Sequence, residues 1–166
     1  MLSIETNRLN FRQWSEPDFN QFADFFSTEA NARHVGGVKT KEEAWRLMAT
    51  YIGHYELKGY SYAAVEEKET RNLIGTVGLW KSEAWPEIEL GYWILPEKQG
   101  KGYALEAAVA VKDFAFKHLK LETLVSYIDP SNIPSINLAK RLGGKFDKKI
   151  ELLGFGEHSI YRYAPA

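Results

Sequence analysis

The residues whose types and spacing suggest chemistry lie at positions 87–104, where two carboxylates precede a glycine-containing loop. The segment reads Glu-Ile-Glu-Leu-Gly-Tyr-Trp-Ile-Leu-Pro-Glu-Lys-Gln-Gly-Lys-Gly-Tyr-Ala. It begins as an apolar strand and ends as a short loop that opens directly into a helix. Unpaired N–H groups at the start of such a helix suit a phosphate or pyrophosphate, and glycine lets the backbone approach the anion closely. The pattern predicts an anion site, with an ordinary tight turn as the alternative, because lone glycine motifs give many false matches.

Hydrophobic periodicity divides the chain into the strands and helices that would position this segment. The apolar patterns predict seven strands, at residues 8–14, 60–66, 73–80, 87–95, 122–128, 145–153 and 159–163. Helical spacing and capping residues predict four helices, at residues 16–28, 40–58, 100–119 and 132–142. Elements in this order indicate an α+β fold, with a mainly antiparallel sheet and helices on its faces.

Composition excludes several classes of function. The 166 residues fit one domain, residues 1–166, and a net charge of −1 lacks the basic character of a nucleic-acid-binding surface. The absence of cysteine excludes disulfides, thiolate metal sites and a cysteine nucleophile. The N-terminal residues are too polar for a signal peptide, and no apolar run approaches about 18 residues. We therefore expect a cytoplasmic protein that neither binds nucleic acid nor enters a membrane.

Four motifs lie in order along the chain, at Glu5-Thr6-Asn7-Arg8-Leu9-Asn10-Phe11-Arg12, Glu89-Leu90-Gly91-Tyr92, Gln99-Gly100-Lys101-Gly102-Tyr103-Ala104, and Asn132-Ile133-Pro134-Ser135 through Lys140-Arg141-Leu142-Gly143. With them the sequence resembles the GCN5-related N-acetyltransferases (GNAT), and most closely the branch that contains the ribosomal-protein N-terminal acetyltransferases. The third motif fits the family's acetyl-CoA signature, Gln/Arg-x-x-Gly-x-Gly/Ala. The resemblance implies a GNAT fold: a mixed, mainly antiparallel sheet of six to seven strands flanked by about four helices. The fourth and fifth strands of that fold are splayed to admit CoA.

By this resemblance, acetyl-CoA is the co-substrate and the glycine loop is its pyrophosphate site. The amides of residues 100–104 are expected to hold the phosphates, with Lys101 either adding charge or simply solvated. The backbone of residues 92–94 is expected to pair with the pantetheine arm as an added strand would. The residues implied for the cofactor are Tyr92, Trp93, Ile94, Gln99, Gly100, Lys101, Gly102, Tyr103, Ala104, Asn132 and Ser135. Helix capping is the alternative for Asn132 and Ser135.

Acetyl transfer needs a neutral amine, so a base must take a proton, directly or through water. Glu89 is the candidate base, and an ordinary solvated or ion-paired strand carboxylate is its alternative. Glu87, two residues earlier on the same face of the predicted strand, is its rival. Many relatives place a tyrosine, as general acid, where this chain has Ala139, which leaves Tyr127 or water for that role. Gly144 stands where relatives usually carry phenylalanine, a difference that we interpret as structural.

The sequence thus predicts an N-acetyltransferase that moves acetyl from acetyl-CoA to a primary amine by direct attack on the thioester. The amine would be a protein N-terminus or a small molecule. It would contact the loops at residues 31–39 and 82–86, with Trp80, Trp85 and Trp93 as an aromatic wall. Core packing is the alternative for Trp93. A catalytically silent acyl-CoA-binding regulatory module is the alternative, motivated by the missing tyrosine. A monomer or a homodimer is expected.

Histidine gives no indication of a metal site. The four histidines, at positions 34, 54, 118 and 158, do not have the spacing of metal ligands, so no metal is expected. His34 lies in the loop that would line the acceptor side, which makes it a minor candidate for the site.

Overall fold

A computed structural model describes residues 2–166, which form one seven-stranded sheet in the order β1-β2-β3-β4-β5-β7-β6. The strands are β1 (Leu9–Arg12), β2 (Tyr62–Glu67), β3 (Leu73–Trp80), β4 (Glu89–Ile94), β5 (Leu124–Ile128), β6 (Lys145–Glu151) and β7 (Glu157–Tyr163). Neighbouring strands are antiparallel except β4 and β5, which are parallel. The predicted mixed, mainly antiparallel sheet is confirmed.

Five helices flank the sheet, where about four were expected. They are α1 (Phe19–Phe26), α2 (Glu29–Ala32), α3 (Lys41–Lys58), α4 (Tyr103–Lys117) and α5 (Ile133–Arg141). The predicted capping box at the start of α3 is present, because the Thr40 hydroxyl accepts from the Glu43 N–H and the Glu43 carboxylate accepts from the Thr40 N–H, each at 3.1 Å.

The helix predicted at residues 16–28 is divided. A single 3₁₀ turn, Glu16–Asp18, leads into α1, which ends at Phe26. Thr28 has extended backbone angles, φ −122° and ψ 142°, and this break allows the short helix α2 to begin in what was predicted as the start of a loop.

Two boundaries near the candidate site also differ from the prediction. The helix expected from Gly100 begins at Tyr103, because Gly100 and Gly102 adopt left-handed φ angles of 75° and 80°. The strand expected from Glu87 begins at Glu89, since the Glu87 N–H donates to the Tyr127 hydroxyl at 3.0 Å. Glu87 therefore lies outside the strand, and its predicted position on the same strand face as Glu89 is wrong.

The two faces of the sheet pack differently. One face is covered by α4 and α5, with small buried side chains on the helices, among them Ala107, Ala108, Val111 and Ala139. The other face is covered by α1, α2 and α3 and is rich in aromatic rings. Trp93 lies at its centre, stacked on Phe25 with ring centroids 4.3 Å apart. Its side chain packs in this core, and Trp93 also lines the cavity between β4 and β5.

The parallel strands β4 and β5 separate almost as soon as they meet. Glu89 and Val125 are their only register pair among the described residues. One residue further on, the Ser126 hydroxyl donates to the Leu90 carbonyl at 2.7 Å. The rest of β4 keeps its pairing with β3 but has no partner on the β5 side. The predicted splay is present, and it leaves a strand edge inside the molecule.

Candidate active site

A cavity of about 620 Å³ occupies the gap between β4 and β5. Side chains from both faces of the sheet line it. Tyr51, Tyr62, Trp80, Trp85 and Glu89 belong to the face of α1 and α3, whereas Tyr92, Ser135, Leu138, Ala139 and Tyr163 belong to the face of α4 and α5. A molecule in this cavity would therefore meet groups from both sides of the sheet.

Glu89 lies in the cavity wall with 9% of its surface exposed. The Tyr62 hydroxyl donates a hydrogen bond to its Oε1. Burial raises the pKa of Glu89 to about 7, while the nearby Tyr62 and Trp85 act in the opposite direction. A carboxyl with a pKa near the working pH is suited to take a proton and release it again.

Tyr62 stays protonated while its hydroxyl donates to Glu89. Burial, followed by the negative charge of Glu89, raises the pKa of Tyr62 well above its usual value. Its ring stacks on Trp80, with centroids 5.4 Å apart and an interplanar angle of 8°, and meets the edge of Tyr51 at 5.2 Å. The same rings that hold the phenol in place bury the carboxylate. Tyr62 and Tyr51 were not among the predicted site residues, because nothing in a hairpin strand or a helix marks them out.

Two buried nitrogen atoms in the cavity wall have no hydrogen-bond partner within residues 2–166: Trp85 Nε1 and His34 Nδ1. The Trp85 indole lies close enough to lower the pKa of Glu89, yet it makes no full hydrogen bond. His34 Nδ1 is 3.9 Å from the Asp129 carboxylate. Both nitrogens are available to form hydrogen bonds with water or with a molecule bound in the cavity.

Glu87 is held away from the cavity. Arg162 donates to both of its oxygens, Nη1 to Oε1 at 2.8 Å and Nη2 to Oε2 at 3.0 Å. This bidentate contact is the main cause that lowers the pKa of Glu87. Tyr127 does line the cavity, but its hydroxyl accepts the Glu87 N–H, and burial raises the pKa of Tyr127 to about 12. The structure thus separates the two candidate carboxylates.

The glycine loop forms a second surface, at the start of α4. None of the backbone N–H groups of residues 102–105 has an acceptor elsewhere in the described chain. A Cβ placed on Gly100 would meet no atom within 4 Å. Free donors at a helix N-terminus beside open space fit an anionic group such as a pyrophosphate. Lys101, between the two glycines, is exposed.

The N-terminal motif braces this loop. Glu106, in the first turn of α4, accepts hydrogen bonds from the Thr6 hydroxyl at 2.6 Å, the Arg8 N–H at 3.0 Å and Arg8 Nε at 2.7 Å. Arg8 Nη1 also donates to the Lys101 carbonyl at 3.0 Å. Thr6 and Arg8 were predicted only as part of a family motif, and this role was not predicted. No local spacing could have shown it, since Thr6 and Glu106 are 100 residues apart.

Further contacts fix the loop to the sheet. Gln99 Nε2 donates to the Ile94 carbonyl at 2.9 Å, so its side chain joins the loop to the end of β4. Glu67, on β2, accepts from the Tyr103 hydroxyl at 2.7 Å and from Thr70. The bond from Thr70, followed by that from Tyr103, lowers the pKa of Glu67 to about 2. Gln99 and Tyr103 therefore hold the loop through their side chains.

The predicted residues of α5 face the cavity. Asn132 caps the helix, its Oδ1 accepting from the Ser135 N–H at 3.4 Å, and both residues line the cavity. Ser135 Oγ lies 2.8 Å from the Tyr92 hydroxyl. Asn132 is thus a helix cap and a wall residue at once. The predicted site residues fall into two groups, those of the cavity and those of the loop, and Ile94 lies buried between them.

Two features bear on the chemistry that is available. Within residues 2–166 no group of three histidine, aspartate or glutamate side chains is arranged to hold a metal ion. None of the helices in that range is long and apolar enough to cross a membrane.

Comparisons with known proteins identify the family and the fold. Residues 8–145 match the acetyltransferase (GNAT) domain family. An uncharacterized N-acetyltransferase of Bacillus subtilis, YoaA, is 28% identical over 143 residues, which cover 84% of this chain and 81% of YoaA. An acetyltransferase from Agrobacterium tumefaciens has the same fold with a TM-score of 0.89 and 33% identity, covering 98% of this chain and 94% of that one.

More distant structures share the fold. A spermidine N-acetyltransferase from Vibrio cholerae, solved with CoA and spermine, superposes with a TM-score of 0.76 at 19% identity, covering 96% of each chain. Acetyltransferases of ribosomal proteins also share the fold.

Proposed function

The chain belongs to the GNAT family of N-acetyltransferases, and on that premise we propose that it transfers acetyl from acetyl-CoA to a primary amine by direct attack on the thioester. The observation that carries this proposal is Glu89, a buried carboxyl with a pKa of about 7, at the point where β4 and β5 separate. We also propose that residues 1–166 form a single catalytic domain.

In this proposal Glu89 is the general base. Its ionised form takes a proton from the incoming ammonium or amine, directly or through a water held between the carboxylate and the Trp85 N–H. Tyr62 remains protonated and orients the carboxylate. Glu87 is not the base, because Arg162 holds it as an ion pair outside the cavity wall.

The chain's own groups suit acetyl-CoA, which supplies an activated acetyl thioester when bound. The N–H groups at the start of α4 would hold its pyrophosphate, with Arg8 and Glu106 fixing the loop. The unpaired edge of β4, residues 91–94, would accept the amide-bearing pantetheine arm as an added strand. Tyr92, Asn132 and Ser135 would line the arm's path. The thioester would then lie near the point where the strands separate, within reach of Glu89.

The acceptor is a small amine or a protein N-terminus. The cavity on the Glu89 side is lined by rings, including Trp80 and Trp85, which suit an amine carried on an apolar or cationic body. The spermidine N-acetyltransferase that shares the fold supports a small-amine acceptor, and the ribosomal-protein acetyltransferases support a protein N-terminus.

A catalytically silent acyl-CoA-binding module is the second candidate, favoured by Ala139 in the place of the usual acid. One assay separates the two functions: incubation with acetyl-CoA and a panel of amines and N-terminal peptides, with free thiol followed by a colour reagent. The chain has no cysteine, so the protein contributes no background thiol. Thiol release with a matching acetylated product, identified by mass, supports the enzyme. Tight acetyl-CoA binding without thiol release on any acceptor supports the silent module.

A further inference from the structure

An aromatic ring from the last strand lies against Gly144 and close to the Ala139 backbone. Tyr163, on β7, is 2% exposed and shares the same core cluster with Ala139. A Cβ on Gly144 would lie 2.7 Å from Tyr163 Cε1 and 2.8 Å from the Ala139 carbonyl oxygen. The phenylalanine that relatives carry at position 144 would therefore collide with this ring. Gly144 is thus the departure from the family pattern that makes room for Tyr163, and Ala139 lies in the same core cluster.

The hydroxyl of Tyr163 reaches the point where β4 and β5 separate. It lies 3.0 Å from Ser126 Oγ, and Ser126 donates to the Leu90 carbonyl at 2.7 Å. A serine hydroxyl has one proton. Because that proton is given to Leu90, the Tyr163 hydroxyl must be the donor to Ser126. The Tyr163 hydroxyl thus donates a hydrogen bond to a neutral acceptor, Ser126 Oγ, in the wall of the cavity.

This hydroxyl lies across the sheet from Glu89. Side chains of successive strand residues point to opposite faces, so Leu90 and Glu89 face opposite sides of β4. Leu90 and Tyr163 belong to the core cluster under α4 and α5, whereas Glu89 bonds to Tyr62 on the aromatic face. Tyr127 contacts Glu87 and the Trp85 ring on the Glu89 side, so it is poorly placed to meet a group that departs on the other side.

We propose that Tyr163 supplies, from β7, the hydrogen bond to the departing thiolate that a tyrosine on the last helix supplies in many relatives. The role rests on the acetyl transfer proposed above. The amine nitrogen bonds to the acetyl carbon while Glu89 takes its proton. The C–S bond then breaks, and its electron pair stays on the sulfur. Tyr163 turns its O–H from Ser126 to this sulfur, which leaves as a thiolate and is protonated by water.

The properties of Tyr163 suit a donor that keeps its proton. Burial raises the pKa of Tyr163 to about 12, so the hydroxyl is protonated wherever Glu89 is ionised enough to act. A thiol has a pKa of about 8.5, so complete transfer from this phenol to the sulfur is unfavourable. A hydrogen bond to an anion is stronger than one to a neutral hydroxyl, which favours the turn from Ser126 to the sulfur.

The first test needs no acceptor amine. Tyr163→Phe and the unaltered chain are saturated with CoA, and the alkylation rate of the bound thiol by iodoacetamide is measured from pH 6 to 9.5. The cysteine-free chain leaves CoA as the only thiol. The thiol in the Tyr163→Phe complex should titrate about one pH unit higher, because its thiolate has lost a donor. Equal titration curves overturn the proposal.

The second test uses turnover on an amine that the unaltered chain acetylates. Tyr163→Phe should lower kcat roughly 10- to 100-fold and leave the KM for acetyl-CoA within about threefold. Tyr161→Phe is the matched control, since this phenol lies two residues earlier on the same strand face, 6% exposed and outside the cavity wall. Equal losses in the two variants, or no loss in Tyr163→Phe, overturn the proposal.

A third variant moves the phenol instead of removing it. Tyr163→Ala vacates the ring's space, and adding Ala139→Tyr places a phenol at the position that relatives use. Recovery of kcat in the double variant over Tyr163→Ala supports the proposal. A double variant that folds, binds acetyl-CoA and stays as slow as Tyr163→Ala counts against it. If no amine is acetylated by the unaltered chain, the proposed function fails, while the thiol titration still decides whether Tyr163 meets the sulfur.

Discussion

Replacing Glu89 by glutamine should lower the catalytic activity and raise the stability of the fold. Both effects should appear over the same pH range. Glutamine keeps the size of the side chain and an acceptor for the Tyr62 hydroxyl, but it cannot take a proton. The ascending limb of kcat against pH, centred near the Glu89 pKa of about 7, should disappear. The remaining rate should be roughly 100-fold lower at pH 8.

The stability effect follows from the sign of the pKa shift. The pKa of Glu89 is raised in the fold, so the fold favours the neutral carboxyl. The stability that the neutral carboxyl contributes is fully present below the unfolded pKa of about 4.3 and is lost as the pH rises through 7. Well above pH 7 the ionised carboxyl costs the native state about 4 kcal/mol. Glutamine avoids this cost, so the stability advantage of Glu89→Gln should grow by about 2.5 kcal/mol between pH 5 and pH 8, or roughly 5–10 °C in Tm.

The assay pairs Glu89→Gln with Glu87→Gln, the same change two residues away. Pre-steady-state and steady-state rates are measured from pH 5 to 9 at saturating acetyl-CoA, and Tm is measured by calorimetry in the same buffers. Glu87→Gln should retain the limb near pH 7, since Glu87 is paired with Arg162. If Glu89→Gln keeps the ascending limb of kcat against pH, Glu89 is not the base. If its stability gain is the same at pH 5 and pH 8, the pKa of Glu89 is not raised in the fold.

Three further substitutions test other parts of the site. Gly102→Asp should weaken acetyl-CoA binding by about 100-fold in calorimetric titration, whereas Gly59→Asp, at a similar left-handed φ of 77° against 80°, should leave that affinity unchanged. Arg8→Ala should weaken the same affinity roughly tenfold by releasing the loop, and Arg46→Ala, which breaks an exposed ion pair on α3, should not. Gly144→Ala should lower the unfolding free energy by about 1–3 kcal/mol in urea, because the added methyl meets a buried ring and a backbone oxygen; an unchanged midpoint would show that the ring has room to move.

The sequence predicted the strands, the long helices and the loop, because those depend on local spacing. The apolar runs at residues 60–66 and 73–80 and the capping box at Thr40 each encode one element within a few neighbours. The errors lie where a distant contact or a local change of backbone angles sets a boundary. The start of β4 is one, because the Glu87 N–H is taken by Tyr127, 40 residues away. The break before α2 is another, set by the extended backbone at Thr28.

The candidate site shows the same division. Glu89 was recognised as a carboxylate at a strand start, but its raised pKa comes from burial among rings of β2, β3 and α3, and the hydrogen bond from Tyr62 acts against that rise. The brace on the loop joins Thr6 to Glu106 across 100 residues. Periodicity carries no information on such pairs. Only the assembled sheet brings them together.

The absence of the usual tyrosine therefore does not by itself indicate a silent module. Ala139 and Gly144 both replace large rings, and each change alone would leave a void that costs stability in a close-packed core. With Tyr163 in that space the core is filled, and a phenol hydroxyl again stands at the separation of β4 and β5. The packing that compensates for the two small residues is the packing that returns a donor to the cavity, so an active enzyme is the simpler interpretation of the site.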